Sequence, residues 1–298
     1  MNFLSLKEFA QNIREKKTVF LSIFFILVLC FSIFIFLQPN IYRSEVVLKV
    51  NDQDDINSQR LTGLSTIAGF AGINLENKSD YGLIAIETLK SFNFISKFID
   101  DNNVLIPLFA SREWNASAQE LVLNTKVYDA KNNLWVRKVS FPQEQKPSLE
   151  EAYIKILDEN IFVSRNVNSG LITITVEHIS PKVSYEWAKS LVNQLNEEFR
   201  NRDYEKATQT IDYLNKQFDQ TSASEVKNVL ASLMQKEISQ LALINANKEY
   251  IFTVINPPYI SKYKVKPNRF VLLISFSLFS LFFSAFIILL FKYFSRIE

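Results

Sequence analysis

Few residues of this chain have side chains suited to catalytic chemistry. His178 is the only histidine and Cys30 the only cysteine among the 298 residues, so a serine–histidine or cysteine–histidine nucleophile would have to use His178. One histidine and one cysteine also fall short of a zinc site built from nitrogen and sulfur ligands. Carboxylates are plentiful, and a glycosidase-like pair stays open because no two of them stand out. We predict that the chain is not an enzyme and needs no cofactor or metal.

A basic segment near the C-terminus is a candidate for ligand binding instead. It is framed by Pro257, Pro258 and Pro267, which predict an extended backbone rather than a helix. Its positive charges suit a lipid phosphate, a pyrophosphate-linked carrier or a polymer, and ordinary anchoring at the membrane surface is the alternative. The basic residues are Lys262, Lys264, Lys266 and Arg269.

Asn115 is a candidate acceptor for glycosylation. It lies in the sequence Glu113-Trp114-Asn115-Ala116-Ser117, an Asn-x-Ser acceptor with an acidic residue two positions earlier. This resembles the extended sequon of bacterial N-glycosylation. The alternative is a chance match in a polar loop.

Two long uncharged runs must position these residues. Residues 18–37 and 270–291 contain no charged side chain, and each run is long enough to cross a hydrocarbon core of about 30 Å. We predict two transmembrane helices. A cleaved signal peptide is the rival interpretation of the first run, but that run is too long and no small-residue cleavage site follows it.

The distribution of lysine and arginine predicts the orientation. The positive-inside rule places the tails 1–17 and 292–298 in the cytoplasm. The basic segment opposes this orientation, but a long translocated region crosses largely regardless of its charge. We therefore predict an inner-membrane protein with a large periplasmic middle region. The basic residues of the two tails are Lys7, Arg14, Lys16, Lys17, Lys292 and Arg296.

The first part of the middle region, 38–180, has the pattern of an α/β domain. Residues 41–50, 161–164 and 171–176 are rich in β-branched side chains and predict strands, whereas 81–101 has the spacing of an amphipathic helix. Residues 61–73 form an apolar, glycine-containing loop, which either folds onto its own domain or contacts another subunit or the membrane. A final strand is predicted at 250–255, at the start of a proline-rich linker that ends at 269.

Between Pro181 and Pro257 the chain contains neither proline nor glycine, and this stretch predicts a long helical extension over 181–249. Ser180 and Pro181 suit the N-cap and first position of a helix. A helix over 181–219 would be about 60 Å long. Ser222 and Glu225 have the spacing of a capping box and predict the start of a second helix, so the extension is a projecting helical hairpin.

Apolar residues along the first of these helices are candidates for an oligomer interface. They lie near one face of the helix and pack either against the returning helix or against a neighbouring subunit. The four candidates are Leu195, Ile211, Leu214 and Phe218.

Short motifs in a fixed order carry a resemblance to a known family. They comprise Leu89-Lys90-Ser91 with Phe94-Ile95, Leu105-Ile106-Pro107-Leu108-Phe109, Leu134-Trp135-Val136, Ser169-Gly170-Leu171-Ile172, and Asn256-Pro257-Pro258 with Lys266-Pro267-Asn268-Arg269. Together with two terminal spans and a long helix before the last strand, the chain resembles the chain-length determinants of bacterial polysaccharides, the Wzz-type polysaccharide co-polymerases.

This resemblance implies a non-enzymatic homo-oligomer of the inner membrane with a bell-shaped periplasmic part. It implies that the chain regulates how many repeat units a membrane polymerase adds to a lipid-linked O-antigen. The expected partners are other copies of the chain, the O-antigen polymerase, lipid-linked polysaccharide and membrane lipids. The net charge of +2 gives no indication of a nucleic-acid partner.

Two alternatives remain at this point. One is a capsule or exopolysaccharide co-polymerase that works with a separate kinase or transporter, since the short C-terminal tail is expected to exclude a fused kinase. The other is a two-span sensor, which is disfavoured because only seven residues follow Phe291. Residues 114–131 depart from the family pattern by an insertion-like stretch.

Overall fold

A computed structural model describes residues 16–51, 81–246 and 249–294. In chain order the elements are α1 (Lys17–Leu37), β1 (Tyr42–Val50), α2 (Tyr81–Lys90), α3 (Phe92–Asp101), α4 (Leu105–Ala110), β2 (Ser111–Asn115), β3 (Glu120–Leu123), β4 (Tyr128–Asp129), β5 (Leu134–Trp135), α5 (Leu149–Glu159), β6 (Ile161–Arg165), β7 (Ile172–His178), α6 (Pro181–Gln220), α7 (Ser224–Ala246), β8 (Phe252–Asn256) and α8 (Arg269–Phe294). The predictions for Lys7, Arg14, Arg296 and the loop 61–73 lie outside the described residues.

The chain forms two compact units. Unit 1 combines the residues up to Tyr42 with those from Tyr263 onward, and unit 2 runs from Arg43 to Lys262. The mixed helix-and-strand fold with a long helical hairpin and two terminal apolar helices confirms the predicted fold class.

Unit 1 is built on α1 and α8, and both helices are long and apolar enough to cross a membrane. The two helices contact each other through aromatic side chains, and Phe31 stacks on Phe276 with ring centroids 4.4 Å apart. Ser280 and Ser284 are fully buried, and each hydroxyl donates to a carbonyl of its own helix. Small residues four apart allow helices to approach closely. In this chain the serine pair serves contact within one subunit.

Unit 2 is organised around a four-stranded sheet with the order β6-β7-β1-β8. The strands predicted at the two ends of the middle region are neighbours, because β1 pairs antiparallel with β8. The turn between β6 and β7 contains Gly170. Gly170 has a φ of 69°, a left-handed conformation that glycine adopts without steric cost.

The helix predicted over 81–101 is divided in two at Ser91. The Ser91 hydroxyl accepts the N–H of Phe94 at 3.3 Å, so Ser91 is the N-cap of α3. This break separates two short helices that pack into the same core, to which they contribute Leu89, Ile95 and Phe98.

The long helix α6 begins as predicted. Ser180 caps it by accepting the N–H of Val183, and Pro181 follows at the first turn. Its 40 residues give a length of about 60 Å. Its first half lies in the core of unit 2, where Trp187, Leu191 and Phe199 are buried. The predicted boundary at 181 therefore does not separate the α/β domain from the helical extension, because α6 belongs to both.

The second half of α6 packs against α7. The returning helix begins at Ser224, and the carbonyl of Ala223 accepts the N–H of Lys227 at 3.1 Å. The predicted capping box on Ser222 is therefore displaced, because Ala223 occupies the cap position. The hairpin itself is as predicted.

The segment between α4 and α5 is held by Arg137. Its guanidinium donates to the carbonyls of Glu144 and Gln145 and to both carboxylate oxygens of Glu151. It also lies over the Phe109 ring, 5.3 Å from the centroid. An arginine whose fork is satisfied in this way orders a loop that has little regular structure of its own. The strand β5 in this segment is only two residues long.

Candidate functional site

The only histidine contacts a serine hydroxyl, as a nucleophile–base pair would. The Oγ of Ser111 is 3.3 Å from Nε2 of His178. However, Nδ1 accepts the N–H of Ser180 at 2.9 Å, so the proton of the neutral ring is on Nε2, where it is donated to the carbonyl of Pro107 at 3.0 Å. Ser111 donates to the same carbonyl. Both protons are thus already used, and Nε2 has no lone pair to accept the serine proton.

His178 instead joins three parts of unit 2. Its ring is 4% exposed and lies 5.1 Å from the ring of Trp187. Through Pro107 and Ser180 it connects the end of β7 to α4 and to the start of α6. Burial lowers the pKa of His178 below its ordinary value, because the charged ring would lose its hydration. We infer a structural role for this residue.

This arrangement predicts a pH-dependent stability. The unfolded histidine titrates near its ordinary pKa of about 6.5, and the folded pKa lies lower. The contribution of His178 is therefore complete above about pH 6.5 and is lost as the pH falls below that value, at up to about 1.4 kcal/mol per pH unit. We expect the free energy of unfolding to fall more steeply from pH 7 to 5 in the wild type than in His178→Gln, measured by urea unfolding. Parallel curves would contradict this interpretation.

The carboxylate of Glu177, the residue before His178, is also engaged in hydrogen bonds. Glu177 is buried and accepts two hydrogen bonds from Arg43, at 3.0 Å from Nε and 2.6 Å from Nη2. These bonds raise the pKa of Arg43 above its ordinary value. The pair joins β7 to β1 and stabilises the middle of the sheet. Among the residues that the structure describes, no three His, Cys, Asp or Glu side chains come together as metal ligands.

The four predicted interface residues fall into different environments. Leu195 is completely buried in the core of unit 2 and has no surface left for a neighbouring subunit, so it is removed from the candidate interface. Leu214 is buried farther along α6, outside that core. Ile211 and Phe218 are half-buried, and the Phe218 ring lies under Lys227 of α7 at 4.9 Å. Phe218 thus contacts the returning helix.

A more exposed apolar stripe lies on α7. Val226, Val229 and Leu233 recur at steps of three and four residues, which places them on one side of the helix. Their exposed fractions are 47%, 52% and 42%. The hairpin therefore leaves these residues partly uncovered. We name Val226, Val229 and Leu233 the α7 stripe.

Asn115 is the last residue of β2 and is exposed. Its side-chain oxygen accepts the N–H groups of Ser117 and Ala118 at 3.0 and 3.1 Å, so the residue forms the turn that leads into β3. Glycosylation at Asn115 stays a prediction.

The basic segment is shared between the two units. Lys262 is the last residue of unit 2, whereas Lys264, Lys266 and Arg269 belong to unit 1. Lys264 and Lys266 are exposed. Arg269 differs, because its Nη2 donates to the carbonyl of Gln38 at 3.4 Å and its guanidinium lies over the ring of Phe36. Arg269 thus connects the start of α8 to the end of α1.

Sequence reasoning missed a buried polar contact between α6 and β8. The side-chain oxygen of Asn196 accepts the N–H groups of Ile251 and Phe252 at 3.2 and 3.0 Å. Its nitrogen donates to the carbonyl of Phe252 at 3.1 Å. The sequence does indicate that Asn196 is buried, because it lies between Leu195 and Phe199 on the apolar face of the helix.

Comparison with known proteins gives likenesses in structure only. No protein-family model and no curated protein matches the chain. A full-length bacterial polysaccharide co-polymerase aligns over 99% of this chain and 99% of its own, with a TM-score of 0.40 and 11% identity. A fragment of WzzB, a polysaccharide co-polymerase from Salmonella Typhimurium, aligns over 76% of this chain and 100% of its own, with a TM-score of 0.32 and 10% identity. Both are polysaccharide co-polymerases, the kind of protein that this sequence resembles.

Proposed function

We propose that the chain regulates the length of a bacterial surface polysaccharide, as a non-catalytic homo-oligomer of the inner membrane. The observation that carries the proposal is the order of its elements. An apolar helix leads into a central strand, and a 40-residue helix with its returning partner leads into a last strand beside the first. A second apolar helix follows. The short motifs that resemble Wzz-type chain-length determinants occur in this same order.

The contacts around His178 agree with the role of a scaffold protein. His178, Ser111 and Glu177 have the side chains of a hydrolase site, yet their hydrogen bonds serve contacts within unit 2. The α7 stripe supports assembly, because apolar residues that the hairpin leaves uncovered favour association with another surface. We propose that neighbouring subunits cover it in the periplasm, with both chain ends in the cytoplasm.

The proposed partners are a membrane O-antigen polymerase and the lipid-linked polysaccharide that it extends. A scaffold of this kind changes how long the polymerase stays with a growing chain, and it makes no bond itself. Its removal therefore alters the distribution of lengths while synthesis continues.

Deletion and complementation of the gene test this proposal. We expect the deletion strain to make polymer with a length distribution weighted to short chains, and the full-length gene to restore a clustered distribution, measured on a polysaccharide gel. The O-antigen and the capsule are examined in the same strains, so that the affected polymer is identified. Loss of all polymer in the deletion strain would point to an enzyme of the pathway, and unchanged ladders would reject a regulator.

A further inference from the structure

The hairpin of β2 and β3 presents an acceptor sequence for N-linked glycosylation at its tip. The chain contains two Asn-x-Ser/Thr sequences, at Asn77 and Asn115, and Asn77 lies outside the described residues. Of the two, Asn115 has an acidic residue, Glu113, two positions earlier, as in the extended sequon of bacterial N-glycosylation. All residues over 115–120 are exposed, so the acceptor lies where another protein can reach it.

The hydrogen bonds at this tip leave the two reacting side chains of the sequon available. The side-chain oxygen of Asn115 accepts the N–H groups of Ser117 and Ala118. Within the described part of the chain, the side-chain nitrogen of Asn115 and the hydroxyl of Ser117 make no hydrogen bond. The nitrogen is the atom to which a glycan is joined, and the hydroxyl is the second group that defines an acceptor sequence.

The hairpin can also open locally around the acceptor. The strands β2 and β3 form a separate two-stranded sheet, and a hairpin of this size is marginally stable by itself. Residues 111–123 do not belong to the hydrophobic core of unit 2. In the turn, Gln119 has a φ of 53°, a left-handed conformation that costs free energy in a residue with a side chain. Local opening lets residues 113–117 enter the binding groove of an enzyme as an extended segment.

We propose that Asn115 is an acceptor site for a bacterial oligosaccharyltransferase, which transfers an oligosaccharide from a lipid diphosphate carrier. The side-chain nitrogen forms a bond to the anomeric carbon of the first sugar, and the bond from that carbon to the diphosphate oxygen breaks. The nitrogen loses one proton, and the lipid diphosphate leaves with the electron pair of the broken bond. The proposal rests on the proposed periplasmic placement of unit 2, since bacterial N-glycosylation takes place in that compartment.

Mass spectrometry of the full-length protein from its native membranes tests the site. Trypsin cleaves after Arg112 and Lys126 and releases residues 113–126 as one peptide, in which Asn115 is the acceptor of the single sequon. We expect this peptide to carry the added mass of an oligosaccharide, and Asn115→Gln to remove that mass. A wild-type peptide of unmodified mass would overturn the proposal.

Rates of transfer in vitro test the neighbouring residues. The full-length protein in detergent is incubated with a purified bacterial oligosaccharyltransferase and a polyprenyl diphosphate-linked trisaccharide, and the product is measured by gel shift. Glu113→Gln is compared with Glu120→Gln, which removes the same charge from the exposed residue paired with Asn115 across the hairpin. We expect Glu113→Gln and Ser117→Ala to lower the rate by about 30-fold or more, and Glu120→Gln by less than about twofold. Equal rates for the two glutamine variants would overturn the assignment of the extended sequon.

A labelling experiment separates failure of the site from failure of the placement on which it rests. Gln119→Cys, in a chain that also carries Cys30→Ser, is treated in spheroplasts with a maleimide that does not cross the inner membrane. Labelling of the hairpin supports the periplasmic placement, and protection from the label would overturn that placement together with the proposal. A labelled hairpin with a bare 113–126 peptide would overturn the glycosylation site alone and leave the proposed function in place.

Discussion

Replacing Asn196 by leucine is expected to lower the free energy of unfolding of unit 2 by about 3 kcal/mol or more. The substitution removes the hydrogen bonds that Asn196 makes with three backbone groups of Ile251 and Phe252, and both residues are fully buried. A buried polar group without a partner costs about 1–3 kcal/mol. Leucine fills a similar volume, so the loss comes from the unpaired backbone rather than from a cavity.

Two neighbouring contacts also hold the start of β8 against α6. Phe199, one turn farther along α6, packs edge-to-face on Phe252 with centroids 5.4 Å apart. The hydroxyl of Tyr250 donates to the carboxylate of Asp203 at 3.2 Å. Asn196 is the first residue of this series along α6, and its loss is expected to loosen β8 from α6.

Asn193→Leu is the matched control, because Asn193 is exposed on the same helix. Urea unfolding of the full-length protein in detergent, followed by tryptophan fluorescence, measures both variants. The control is expected within about 0.5 kcal/mol of the wild type, as is usual for surface substitutions. A similar result for Asn196→Leu would show that the backbone of β8 finds other partners.

Placing two glutamates on the α7 stripe is expected to abolish assembly. In Val229→Glu/Leu233→Glu both positions are about half exposed in one subunit, so the isolated fold tolerates the change. An unpaired carboxylate buried in an interface is strongly destabilising, and a loss of about 3 kcal/mol already lowers the association constant by about 100-fold. Native mass of the detergent-solubilised protein measures the loss of the oligomer.

Asn228→Glu/Gln235→Glu provides the control for this variant. These residues are exposed and seven positions apart, so they lie on one side of α7 that is turned by more than 90° from the stripe. The control adds the same charge to the same helix. It is expected to retain the oligomer.

Local patterns predicted those elements that depend on local chemistry. The uncharged runs predicted α1 and α8, and Ser180 with Pro181 predicted the start of α6 because a cap and its helix are adjacent in sequence. The division at Ser91 was missed because serine is also tolerated inside helices. In the segment 105–147, order comes from Arg137, whose partners Glu144 and Glu151 lie 7 and 14 residues farther along the chain, a separation that no helix or strand period records.

Periodicity could not predict how the apolar residues of α6 divide between core and hairpin. Leu195 and Leu214 belong to the same pattern, yet the first lies in the core of unit 2 and the second outside it. The difference depends on where the sheet ends along the helix, which no local pattern records. The same limit applies to His178, whose partners Pro107 and Ser111 come from a distant part of the chain.

The most direct test of the account measures assembly and polymer length in the same cells. The deletion strain is complemented with the wild type, with Val229→Glu/Leu233→Glu or with Asn228→Glu/Gln235→Glu, each checked for membrane insertion. We predict that the stripe variant loses its oligomer and gives the short-weighted polymer ladder of the deletion strain, while the control restores both oligomer and clustered ladder. A stripe variant that is inserted and monomeric yet restores the clustered ladder would contradict the claim that assembly sets polymer length.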